Sequence, residues 1–173
     1  MMNADLRREK ILRLINNTYQ PISASALAKE LGVSRQIIVG DVALLRAVGH
    51  EIIATARGYI IPNYKEKHHY IGKIVCQHTP ENTKDELYKI VDGGAVVLNV
   101  IVEHTLYGEL TGALNLTNQQ EVDGFLRKAR SSKTKLLSEL TMGVHTHTIA
   151  CTDEVHFNQV KETLKACGYL YEN

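Results

Sequence analysis

His145 and His147 stand two apart in GVHTHTIAC, a run whose residue types favour a strand. Both imidazoles then project from one face, with Cα atoms about 6–7 Å apart, within reach of a single ion. His78 sits where an earlier strand ends and a helix is about to begin, and Glu86 follows eight residues later on that helix's early turns. From there its carboxylate can swing toward the same point. Three imidazoles and a carboxylate suit a borderline divalent ion such as nickel, zinc, cobalt or iron(II), whereas calcium and magnesium take mostly oxygen ligands. A histidine pair on a strand also serves as an exposed polar face, so spacing alone leaves both uses open. His104, Tyr107, Glu109 and Thr111 lie in or beside another strand that could line a ligand pocket near the ion. Tyr88, Arg127 and His156 read as helix surface or packing residues.

The elements that must position these groups occupy Lys65 to Asn173. A strand is expected from about His69 to Cys76, then a helix capped by Thr79 or Asn82 with Leu87, Ile90 and Val91 inward. Asp92, Gly93 and Gly94 turn the chain into AVVLNVIV, apolar enough to be buried on both faces. Leu106 to Leu116 reads as another strand and Thr117 to Arg130 as a helix with Val122, Phe125 and Leu126 inward. After the histidine strand, Asp153 caps a last helix ahead of a short tail strand in GYLYE. The order β-α-β-β-α-β-α-β predicts an α/β sandwich, with helices covering a mostly antiparallel or mixed sheet.

The preceding stretch, residues 1–64, has a different pattern. In PISASALAKELGVSRQIIVGDVALLRAVG, Ser23 or Ser25 caps one short helix, Gly32 ends it, and Ser34 caps a second. Ile38, Val42 and Leu45 form the second helix's buried stripe, leaving Arg35, Gln36 and Arg46 outside it. Arg can fork onto guanine O6 and N7, and Gln can bridge adenine N6 and N7. Leu6, Ile11, Leu14 and Ile15 give a first helix that packs behind these two, and EIIATARGYIIP reads as a hairpin wing with Arg57 near its tip, placed to meet phosphate or minor groove. Ser34, Arg35, Gln36, Arg46 and Arg57 are therefore the expected DNA contacts of a winged helix-turn-helix.

Composition agrees with this division. Of 173 residues 44% are hydrophobic and the formal charge is +1. Residues 1–64 carry eight Lys or Arg against five Asp or Glu, and residues 65–173 carry twelve against fourteen. Only the first part leans toward a polyanion. No apolar run approaches the roughly 20 residues of a membrane span, and MMNADLRREK lacks the apolar core of a signal peptide, so a cytoplasmic protein is expected. Cys76, Cys151 and Cys167 form no paired metal motif and read as reduced, partly buried thiols.

ISASALAKELGVSRQIIVGDVALLRAVG followed by ARGYI resembles the helix-turn-helix and wing of the biotin-repressor-like group. Ile37 and Gly40 differ from the small polar and basic residues common there. With QHTPENTKDELY, TLYGELTGALNL and GVHTHTIAC downstream, essentially the whole chain is similar to the bacterial niacin-responsive transcriptional repressors, whose C-terminal part is the three-histidine domain. The resemblance implies a divalent metal on His78, Glu86, His145 and His147, with nickel, zinc or iron as the ion. It also implies a homodimer on operator DNA, nicotinic acid as co-repressor, and control of genes for NAD synthesis or niacin uptake. The rival reading is a metal-dependent hydrolase or other small-molecule enzyme with an attached DNA reader. No motif ties a general base to the histidines, and a DNA reader accounts for binding without turnover, so a non-enzymatic role is expected.

Overall fold

Two serines and a glycine set the geometry of the N-terminal turn. Ser23 accepts from the Ala26 N–H at 3.1 Å and opens α2 (Ala24–Leu31), which closes on Gly32 in the left-handed conformation. Ser34 accepts from the Ile37 N–H at 3.3 Å and opens α3 (Arg35–Ala47). Behind them α1 (Ala4–Asn16) contributes Ile11 and Ile15 to a core with Leu27, Leu31, Ile38, Val42 and Leu45. Leu6, expected on the same stripe, is half exposed. Five residues from Ile11 is roughly 140° around a helix, which puts Leu6 on the far side.

The computed structural model describes residues 3–172, and the chain divides into two compact units, one ending at Asn63 and the other beginning at Tyr64.

The wing is a two-stranded antiparallel hairpin, β1 (Ile53–Thr55) with β2 (Gly58–Ile60), joined by Ala56 and Arg57. Thr55 Oγ1 ties the turn by donating to the Gly58 carbonyl at 2.9 Å and accepting from the Arg57 N–H at 3.2 Å. Tyr59 then exchanges two backbone hydrogen bonds with Ile22, which moors the wing to the strand-like lead-in of α2. Gly58 is held at φ +140°, and a Cβ there would overlap the Ile22 backbone. Only glycine fits this crossing.

The second unit contains one sheet in the order β3-β6-β4-β5, built from β3 (Tyr70–Gln77), β4 (Val96–His104), β5 (Gly108–Leu116) and β6 (Val144–Cys151). All its pairings are antiparallel, the first of the two arrangements that the element order allowed. Helices α4 (Thr83–Asp92), α5 (Gln119–Ser131) and α6 (Glu154–Ala166) bury Leu87, Ile90, Val122, Leu126, Val160 and Leu164 with Ile74, Val97, Leu116 and Ile149 of the sheet. Neither Thr79 nor Asn82 caps α4 with its side chain; a 3₁₀ turn, Pro80–Asn82, leads into it instead. The expected tail strand is reduced to one bridge, Leu170 with Cys76. Among the described residues, no helix is long and apolar enough to cross a membrane.

Because Gly58 relieves a backbone-to-backbone contact, Gly58→Ala should destabilise the N-terminal unit by about 1–3 kcal/mol. Differential scanning calorimetry should show the loss in the transition of that unit, with the other unchanged.

Candidate metal centre and DNA-reading helix

His145 and His147 lie on β6, a central strand, and alternate with Thr146 so that both rings face the helical layer. Glu86 reaches them from α4. It falls on the helix's buried stripe with Thr83, Leu87 and Ile90, and is completely enclosed. His78 leaves the end of β3 just before the 3₁₀ turn. Gly143, at φ +89°, lets β6 begin directly against the His78 carbonyl, where any Cβ would collide. The rings follow one another edge-on, with centroids 4.9 Å apart from His78 to His145 and 4.8 Å from His145 to His147.

Hydrogen bonding fixes which nitrogen of each ring is available. His78 Nδ1 lies 2.8 Å from the Thr79 carbonyl, His145 Nδ1 2.8 Å from the Gly143 carbonyl, and His147 Nδ1 2.8 Å from the Asn99 carbonyl. A carbonyl only accepts, so each Nδ1 carries the proton and each neutral ring keeps its lone pair on Nε2. All three Nε2 atoms converge on the Glu86 carboxylate, at 2.7 Å from Oε2 for His78 and at 3.0 Å and 3.4 Å from Oε1 for His145 and His147. His147 Nε2 is within ion-pair range but not aligned for a hydrogen bond, and it is a buried nitrogen without a hydrogen-bond partner. Three lone pairs aimed at an acceptor-only anion are satisfied together by a cation among them. Backbone carbonyls that orient the distal nitrogens are the usual support of metal-ligating histidines. The residues present thus fit a divalent transition ion.

Cys76, Glu86 and His145 also bring ligand atoms within 4.8 Å of one another. Cys76 pairs with His145 across β3 and β6 and is fully buried, as is Cys151; Cys167 is exposed. Burial pushes the Cys76 thiol up, and the Glu86 charge adds to this. Sequence spacing missed this sulfur, although a strand alternating inward at Ile74 must also do so at Cys76. The C-terminal segment closes the site from outside. The Gln77 N–H donates to the Tyr169 carbonyl at 2.8 Å, the Tyr169 hydroxyl donates to Asp85 at 2.6 Å, and the Tyr169 ring packs on His78.

The expected ligand-pocket residues are not brought to this centre. Ile101 pairs with both Thr111 and Thr146, and Glu103 pairs with Glu109, so Thr111 and Glu109 are on the sheet face opposite His147. His104 shares the His147 face but lies four residues beyond Val100, the register partner of His147, or about 13 Å along the strand. Its Nδ1 accepts from the Leu106 and Tyr107 N–H groups as a turn cap, and Tyr107 is mostly exposed. A one-residue change of face is what spacing without register could not resolve. Asn99 was overlooked. It sits at a bulge in β4, gives its carbonyl to His147 and accepts from the Thr148 N–H at 3.2 Å, and its signal was an amide inside an apolar strand.

On α3, Arg35, Gln36 and Arg46 are exposed, while Ser34 uses its hydroxyl as the cap. Arg35 and Arg46 are eleven residues apart, close to three turns, so they share one side of the helix about 16 Å from each other. Arg57 is half-buried in the wing turn. The residue missed here is Asp41. It occupies the buried stripe and accepts from Arg7 Nε at 2.6 Å and Nη2 at 3.2 Å, with Arg8 at 3.4 Å. This ion pair locks α3 to α1; an acid at a stripe position, with two arginines on α1, was the available clue.

A family model described as the 3H domain matches residues 71–173, and one described as an HTH domain matches residues 7–60. The chain is 39% identical over 167 residues to the probable transcription repressor NiaR of Thermotoga maritima, covering 96% of this chain and 94% of that protein. It is 38% identical over 169 residues to the transcription repressor NadR of Bacillus subtilis, with the same shares covered.

Without metal, charge balance in the cluster is set by protons. Burial acts to raise the Glu86 carboxyl, but the charge of His147 and hydrogen bonds from His145 and His78 overcome it and hold the group well below the usual carboxylate range. Burial acts to lower His78 and His147, and Glu86 overcomes it and raises both. Raised histidines stabilise the fold fully below the ordinary value of 6.5 and lose that contribution as pH rises through their folded values. The depressed Glu86 contributes above its ordinary 4.5 and loses it as pH falls through its folded value. The metal-free C-terminal unit should therefore melt at its highest temperature between these limits and at a falling temperature as pH rises above about 6.5 through the raised folded values of His78 and His147. Added nickel or zinc must displace those protons, so its stabilisation should grow over the same interval. Calorimetric pH series on stripped and loaded protein check both trends.

Proposed function

Because the chain belongs to the family of transcription repressors that join an N-terminal helix-turn-helix domain to a C-terminal 3H domain, we propose that it is a niacin-responsive repressor. In this reading nicotinic acid is the co-repressor, and the controlled genes serve NAD synthesis or niacin uptake. One observation carries the sensor half: three imidazoles with Nδ1 committed to backbone carbonyls direct three Nε2 lone pairs at one enclosed carboxylate.

His78, Glu86, His145 and His147 would hold the ion, and the Cys76 thiol, kept neutral by burial and by the Glu86 charge, lies beside the set without adding to its charge. When bound, nickel, zinc or iron supplies positive charge and a coordination position for the carboxylate or ring nitrogen of nicotinic acid. Glu86 offsets only one unit of a divalent charge while the histidines remain neutral. The surplus favours an anionic acid over its amide and offsets the desolvation of a buried carboxylate.

The DNA half rests on α3 and the wing. Arg35 and Gln36, in the first turn, read base edges, Ser34 positions them as the cap, and Arg46 and Arg57 meet phosphate. Two copies in a symmetric dimer would give two half-sites, compensating for the few contacts of one helix. Nicotinic acid raises operator affinity by favouring the dimer arrangement that fits the operator, and operator DNA tightens nicotinic acid binding by the same factor.

Operator titrations of metal-loaded protein should show an acid-specific gain, on the order of 5- to 150-fold, that nicotinamide does not give. Chelation, His145→Ala or His147→Ala should remove it while leaving weak, salt-sensitive DNA binding. Equal affinity with and without nicotinic acid at confirmed metal occupancy would overturn the sensor reading. Arg35→Ala and Gln36→Ala should each cost about 1–3 kcal/mol on operator and little on scrambled duplex, measured by fluorescence anisotropy.

A further inference from the structure

The charge of the C-terminal unit is unevenly spread. Arg127, Lys128, Arg130, Lys133 and Lys135 fall within nine residues that contain no acid. The rest of residues 65–173 carries seven Lys or Arg against fourteen Asp or Glu. A strongly cationic tip is thus mounted on an otherwise acidic domain.

Helix chemistry explains only part of it. Lys128 and Arg130 occupy the last turn of α5, where cations favour the helix dipole. The end itself is closed by other groups. Ser131 and Ser132 hydroxyls donate to the Lys128 and Ala129 carbonyls at 3.0 Å and 3.1 Å, and backbone N–H groups of Ser132, Lys133 and Thr134 donate to those of Lys128, Arg130 and Ala129. Lys133 and Lys135 lie beyond the helix, exposed, and neither they nor Arg130 join an ion pair among the described residues. Lys133 is at φ +51°, a position after a helix that favours glycine. The backbone thus holds a lysine where glycine would be less strained, and presents it to solvent.

We propose, resting on the DNA-binding reading above, that this tip, Arg130 with Lys133 and Lys135, is a second DNA-contacting surface that binds duplex phosphates beyond those met by the N-terminal unit. Charge complementarity selects the occupant: the protein is a DNA-binding repressor, and DNA is the polyanion with which it assembles. Such contacts carry no base information. They lengthen the footprint and steepen the salt dependence of binding.

The test uses full-length, metal-loaded protein and the best-bound duplex selected from a random pool, both minimal and extended by about ten base pairs on each side. Each phosphate contact contributes about 0.9 to the slope of log affinity against log salt. Replacing Arg130, Lys133 and Lys135 together with Gln should reduce the slope by roughly 2 to 3 on the extended duplex and leave the minimal duplex unchanged. Lys161→Gln, on the exposed face of α6, should change neither. Lys133→Gly separates contact from fold: it should raise the melting temperature yet reduce the extended-duplex slope by about 0.9. An unchanged slope on the extended duplex, an equal loss on both duplexes, or an equal loss with Lys161→Gln would overturn the proposal.

Discussion

Each of three imidazoles donates its Nδ1 proton to a main-chain carbonyl, and each therefore has a lone pair to place. The structure places all three at one buried carboxylate. This condition explains much of the architecture around it. Two rings must come from alternate positions of a central strand, one from the end of an edge strand, and the acid from a helix on the same face of the sheet. Gly143 is the point where these demands meet, since the central strand must start in contact with the His78 backbone. The β4 bulge has a similar use: it places the Asn99 carbonyl on the His147 ring.

The N-terminal unit solves a smaller positioning problem by the same means, with polar groups that specify and apolar groups that hold. Ile38, Val42 and Leu45 bury α3, but an apolar stripe tolerates small rotations. The forked Arg7–Asp41 pair limits such rotation through its direction. Ser34 fixes where the helix begins, and the backbone bridge from Ile22 to Tyr59 fixes where the wing lies. Arg35, Gln36 and Arg57 are therefore presented by restrained backbone.

Local rules made much of this legible. The caps at Ser23, Ser34 and Asp153, the turn at Gly32 and the inward stripe of α4 all follow from neighbouring residues and appear as expected. The histidine pair was legible because strand periodicity is local, whereas Glu86 could be placed only on the early turns of its helix, and the family resemblance assigned it with the histidines to one metal. What spacing could not supply was register. Thr111 and Glu109 looked like neighbours of the pocket, but the pairing of Ile101 with Thr111 and Thr146 assigns them to the other face. Cys76, Asn99 and Tyr169 escaped for a related reason: their roles depend on partners distant in the chain. Asp41 could have been found, since a carboxylate on an apolar stripe requires a cation.

The Tyr169 segment gives the site a sequence in time. Its backbone and side-chain contacts join β3 to α4, nearly a hundred residues earlier in the chain. On a ribosome that segment emerges after both histidine-bearing segments and long after the winged helix, whose compact unit ends at Asn63. Domains generally fold as they emerge, so the nascent protein has a folded DNA reader while its histidine cluster still lacks an outer wall. Maturation of the two halves is thereby staggered: the N-terminal unit can fold first, and the outer wall of the histidine cluster forms only when the segment past α6 has emerged and folded back onto β3 and α4.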